Sequence, residues 1–142
     1  MKTDISKFDG MLDTIATHLA KQRGRAVNDS EGCMYRAPGG LMCAFGCLIP
    51  NSEITDHFMN LYNSSSASGL PAELLEKLHN MHAPETDFND FLRVAGYAQC
   101  YHDRSHPCGG TTTYMQRLER SKDADFINMK EMIFRDLRAF CF

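Results

Sequence analysis

The chain has 142 residues, 43% of them hydrophobic and 23% charged, a size and composition that fit one ordinary globular domain spanning residues 1–142 and exclude extensive disorder. A formal net charge of −3 gives no long-range attraction to phosphate backbones or anionic lipid, so nucleic acid is disfavoured as a partner, and no run of about 18 apolar residues offers a membrane span. Residues 1–7 lack the apolar core of a signal peptide, so a cytosolic protein is expected and the six cysteines read as reduced thiols rather than a disulfide framework.

From Asp4 to about Gln22, Ile5, Phe8, Leu12, Ile15 and Leu19 recur three and four residues apart, which predicts an amphipathic helix. Asp4 or Ser6 suits its first turn, Lys21, Arg23 and Arg25 suit its negative end, and Gly24 is placed to end it. A polar loop through Asn28-Asp29-Ser30-Glu31-Gly32 leads to the most unusual stretch, residues 33–50. There Cys33-Met34-Tyr35-Arg36 and Leu41-Met42-Cys43 flank Ala37-Pro38-Gly39-Gly40, the chemistry of a tight turn, which predicts a small β-hairpin. Residues 43–49 carry no charged or amide side chain, so this segment is expected to be buried as a short helix ending before Pro50.

A further helical turn is expected through Ile54, Phe58 and Leu61, and residues 63–69 form a Ser-rich surface loop. Pro71 opens a helix whose stripe is Leu70, Leu74, Leu75, Leu78 and Met81, with His79 and His82 on one side of it. Thr86 or Asp87 caps the next helix, with Phe88, Phe91, Leu92 and Ala95 inward until Gly96. Residues 97–113 break the pattern and are expected to form a long loop or a loop with a small embedded element. Tyr114–Arg120 permits a helical turn, and a last helix starts near Asp123 or Asp125 and runs to about Phe140 through Phe126, Met129, Ile133 and Leu137. The expected fold is mainly α, four to six helices around one small β-hairpin.

Cys33-x-Tyr35-Arg36, Gly40-Leu41-x-Cys43-Ala44-x-Gly46-Cys47-Leu48-Ile49-Pro50, Leu75-x-x-Leu78-His79-Asn80 and the segment from Phe88 to Ala95 together resemble a set of small bacteriophage and prophage proteins. The resemblance covers roughly residues 10 to 96, and Asn80 stands where those proteins usually carry an aspartate. It implies a phage-type origin and a mostly helical fold, and supplies no mechanism.

Ligand and nucleophile chemistry allows three readings of the cysteines and histidines. Cys100, His102, His106 and Cys108 bring two thiols and two imidazoles into nine residues, donors that zinc accepts, although the spacing departs from finger knuckles; a mixed zinc site would instead join Cys33, Cys43 or Cys47 to His79. Cys43, after Gly39-Gly40 and at the start of a helix, suits a lowered-pKa nucleophile with His79 as base and Asn80 as orienting group. The favoured reading is structural: Cys33, Cys43 and Cys47 pack as small hydrophobes, Gly46 makes room for a neighbouring backbone, Arg36 pairs with a surface acid or holds a loop carbonyl, and His79 anchors the hairpin to its helix.

For a phage-type protein without a catalytic signature, the expected function is binding a host protein to inhibit or redirect it. Tyr97, Tyr101, Arg104 and Tyr114 are the candidate contact residues. A nucleic-acid binder would need Lys21, Arg23, Arg25, Arg36, Arg117 and Arg120 gathered on one face.

Overall fold

A computed structural model describes residues 4–24, 35–36, 41–62, 70–103 and 112–140. Arg25, Cys33, the turn at 37–40, the Ser-rich segment, Arg104, His106, Cys108 and the last two residues lie outside the described residues, and so do the expectations placed on them. The described chain is mainly helical, with α1 (Asp9–Gln22), α2 (Asp56–Tyr62), α3 (Ala72–His82), α4 (Phe88–Asp103), α5 (Tyr114–Arg120) and α6 (Phe126–Phe140). No helix in it is long and apolar enough to cross a membrane.

Asp4 caps a 3₁₀ turn, Ile5–Phe8, by accepting from the Ser6 backbone N–H at 3.1 Å and the Ser6 hydroxyl at 2.6 Å. That turn feeds α1, whose Met11, Leu12, Ile15, Ala16 and Leu19 are almost wholly buried. The helix ends at Gln22, two residues before Gly24. Arg23 takes the left-handed conformation at φ 52°, its N–H on the Leu19 carbonyl, at a steric cost of about 1–2 kcal/mol for a side-chain-bearing residue. Its guanidinium offsets this by donating to the carbonyls of Ala124 (2.5 Å) and Lys122 (3.4 Å) in the α5–α6 connection.

α1 and α6 form the most extensive helix pair, with Met129, Ile133 and Leu137 of α6 fully buried. α4 packs on α3, α5 and α6. Asp87 caps α4 through the Asp90 N–H, Asp125 caps α6 through the Asn128 N–H, and Thr113 with Gln116 closes a capping box on α5. α4 does not stop at Gly96 but continues to Asp103. Its buried positions run on in register through Ala98, Tyr101 and His102, and burying those large rings outweighs the roughly 1 kcal/mol that glycine costs a helix interior. Residues 97–103 of the stretch expected as loop are therefore helix.

The hairpin expected over residues 33–43 is not a ladder: the described residues contain no strand, only an isolated antiparallel bridge between Arg36 and Met42. Both backbone groups of Met42 are taken by one side chain, with the N–H donating to Gln22 Oε1 at 2.7 Å and the carbonyl accepting from Gln22 Nε2 at 2.8 Å. An α1 carboxamide thus does what a partner strand would have done. Residues 43–49 are the expected buried segment, but as turns with a 3₁₀ stretch at Gly46–Leu48 rather than an α-helix, packed on α1. A second 3₁₀ turn, Asn51–Glu53, comes after Pro50.

Met81 also departs from its expected place in the α3 stripe. It is 51% exposed, while Leu70, Leu74, Leu75 and Leu78 enter the core.

Candidate functional site

The groups with chemical potential converge on the buried turn at 43–49. Arg36 staples it from one side, donating through Nη2 to the Ile49 carbonyl and through Nη1 to Asn51 Oδ1, each at 2.7 Å. Of its two expected roles, holding a loop carbonyl is the one observed. His82 staples the turn from α3, its Nε2–H donating to the Leu48 carbonyl at 2.8 Å.

His79 does something else. Its Nε2–H donates to the Thr86 carbonyl at 2.7 Å, and its ring lies against Phe88 and Phe91 at centroid distances of 5.5 and 5.2 Å. It therefore braces the α3–α4 turn, and the anchoring role expected of it falls to His82, one helical turn on. Among the described residues no hydrogen bond joins His79 to Cys43, and Asn80 is exposed.

Cys43 is fully buried, and its sulfur accepts the Gly46 N–H at 3.1 Å. Burial pushes the thiol up to about 12; the N–H groups of Gly46 and Phe45 and the Gln99 carboxamide oppose that shift, and the Asp103 carboxylate adds to it. Cys47 is turned inward as well, donating to the Ala44 carbonyl at 3.1 Å, and burial raises its pKa too. A nucleophilic cysteine needs an exposed thiolate, and Cys43 offers neither exposure nor ionisation. Iodoacetamide is expected to alkylate Cys43 at least about 100-fold more slowly than a free thiol at neutral pH, at a rate set by opening of the fold. Peptide mapping that found modification at the free-thiol rate would contradict this placement.

A polar relay beside Cys43 was not anticipated. Gln99 of α4 accepts the Phe45 N–H at 3.0 Å and donates to Asp103 Oδ1 at 2.9 Å, and the same oxygen accepts from His102 Nδ1–H at 2.6 Å. The buried His102 ring stacks on Tyr114 at 5.9 Å. Tyr114 in turn donates its hydroxyl proton to the Leu19 carbonyl at 2.7 Å and accepts the Gly24 N–H at 3.0 Å. The relay satisfies buried backbone groups of the turn and of the end of α1. Its one visible trace in the sequence is that Gln99 and His102 fall in register with Phe91, Ala95 and Ala98 on an otherwise apolar helix face.

His18 of α1 lies near this relay and donates Nε2–H to the Met42 carbonyl at 3.2 Å. Burial holds its pKa below the ordinary 6.5, and His102 adds to that, while the Met42 carbonyl and Gln22 oppose it. The unfolded chain therefore binds this proton more readily than the folded one. The stability contributed by neutral His18 is present above pH 6.5 and is lost as pH falls from there through the folded value. The His18→Gln variant is expected to lose less of its urea midpoint between about pH 7 and about pH 5 than the parent; equal losses would contradict the assignment.

The other expected site residues are only partly among the described residues. Cys100 and His102 sit two apart on α4, about 200° around the helix, so they do not chelate one ion from a single turn. His106 and Cys108 lie outside the described residues, and within those residues no three His, Cys, Asp or Glu side chains gather as a metal-binding group. Tyr101 and Tyr114 are fully buried and Tyr97 is half-buried, so the first two candidate contacts belong to the core rather than a contact surface. Their rings pack together at 6.1 Å, because helix α4 carries Tyr101 inward where a loop would have left it outside.

Four of the cations that a phosphate-binding face would draw on are engaged within the chain. Lys21 lies over the Phe126 ring at 5.8 Å, Arg23 and Arg36 hold carbonyls, and Arg117 forms a bidentate pair with Asp136. No protein-family model, curated protein or solved structure matches this chain at a significant level.

Proposed function

We propose that the chain is a small phage-type protein that acts in the host cytoplasm by binding a host protein and inhibiting or redirecting it. The observation that carries this reading is that, among the described residues, the thiol, imidazoles and carboxamide nearest the buried turn are spent on holding the fold. Cys43 is sealed and protonated, His18, His79 and His82 each donate to a backbone carbonyl, and Gln99 closes the buried turn. On α3 the exposed residues Glu73, Glu76, Lys77, Asn80 and Met81 form a continuous outer stripe, and Met81 supplies an apolar anchor within a charged surround, the arrangement of an energetic centre with a polar rim.

Affinity capture on the tagged chain from a bacterial lysate is expected to recover one host protein at near-equal stoichiometry. Met81→Asp is expected to lower that recovery at least about tenfold with far-UV circular dichroism unchanged. Recovery of no stoichiometric partner would count against the reading.

A further inference from the structure

The outer face of α6 carries a second exposed apolar patch, separate from α3. Ile127 is 72% exposed, and a cavity of about 260 Å³ opens between α1 and α6, lined by Asp13, Ile127, Lys130, Glu131 and Phe134. Since α6 buries Met129, Ile133 and Leu137, the opposite side presents Ile127, Glu131 and Arg138 at helical spacing, with the half-buried Phe134 and Lys130 at its edge, Lys130 beside Asp13 at 3.2 Å.

The order of residues on this face is self-complementary. From Ile127 to Phe134 the sequence reads apolar, two residues, positive, negative, two residues, apolar, centred between Lys130 and Glu131. When two such helices meet antiparallel on a two-fold axis through that centre, residues at equal height share the same summed position. At a rise of about 1.5 Å per residue, Ile127 of one copy stands level with Phe134 of the other, roughly 5 Å from the axis, and Lys130 stands level with Glu131. Each contact occurs twice, as an isologous interface requires. The parallel arrangement would instead set Lys130 against Lys130 and Glu131 against Glu131. We infer that this face binds a second copy of the chain, α6 against α6 antiparallel, with Ile127 entering the partner's α1–α6 cavity.

Static light scattering of the purified full chain, from low micromolar to roughly 100 μM, is expected to show a two-chain mass, and Ile127→Glu to weaken association at least about tenfold with circular dichroism unchanged. The charge pair gives a stricter test. Lys130→Glu presents two acids at the axis and Glu131→Lys two bases, so each alone is expected to be one-chain, while their equimolar mixture forms the two-chain species. A one-chain mass for the parent, a two-chain mass for Ile127→Glu, or a mixture no heavier than its parts would overturn the proposal, and the first of these would leave the face to a different partner. The outcome is independent of host capture, which responds to Met81→Asp and not to the mass of the free chain.

Discussion

Replacing Gly46 with alanine is expected to lower the free energy of unfolding by about 3–5 kcal/mol, at or beyond the upper end of overpacking, because the new methyl would meet backbone that cannot yield. A Cβ at this position would lie 2.2 Å from the Tyr35 carbonyl oxygen and 2.9 Å from both the Tyr35 carbonyl carbon and Cα. Tyr35 has no room to withdraw. It is fully buried, with its ring against Phe45 at 6.3 Å and Phe58 at 6.4 Å. Gly46 also donates its N–H to the Cys43 sulfur and accepts from the Ile49 N–H, so displacing it would open the turn that Arg36 and His82 hold. Urea unfolding followed by circular dichroism measures the loss. Gly96→Ala is the matched control: a Cβ there meets nothing within 4 Å in the middle of α4, and a gain of about 0.5–1 kcal/mol is expected. Equal midpoints for Gly46→Ala and the parent would show that the Tyr35 contact is relaxed in solution.

Asp136→Ala is expected to cost about 3–5 kcal/mol, the range for breaking a largely buried ion pair from one side. Asp136, with only 9% of its side chain exposed, gathers donors from two other helices: the Tyr101 hydroxyl of α4 at 2.9 Å, and Arg117 of α5 through Nε at 2.8 Å and Nη2 at 2.9 Å. The carboxylate bonding raises the Arg117 pKa, and burial together with the same charge raises that of Tyr101, so both remain protonated donors. Removing the acceptor leaves a half-buried guanidinium and a buried hydroxyl without their shared partner. The double variant Arg117→Met with Asp136→Leu is expected to be more stable than Asp136→Ala alone, since it leaves no orphaned charge. A double variant less stable than Asp136→Ala would place the cost in packing instead of electrostatics.

Local patterns carried much of the architecture. The spacing of Phe8, Leu12, Ile15 and Leu19 located α1, that of Met129, Ile133 and Leu137 located α6, and Asp4 and Asp125 marked real caps. The missing charges of residues 43–49 announced a buried segment, and Gly46 was recognisable as a site of close backbone approach. The candidate chemistry was less legible. Cys43 and His79 are residue types a catalyst uses, but whether a thiol ionises depends on its burial and whether an imidazole is free depends on which carbonyl it meets, and neither is encoded at a fixed spacing. Tyr101 and Tyr114 likewise passed for surface residues because a glycine at 96 reads as a helix end when the packing beyond it is unseen.

For this protein the sequence alone determined most of the apolar faces of α1, α3 and α6, because period and composition act over a few residues. It also determined that residues 43–49 would be enclosed. The tertiary structure decided what closes the enclosure: Gln22 satisfying the Met42 backbone in place of a strand, Gln99 meeting Phe45, His82 meeting Leu48, and Tyr114 sealing the end of α1. These bonds join residues 20 to 95 positions apart, and each forms because a buried N–H or C=O must find a partner once water is excluded, a demand that exists only after the helices have packed.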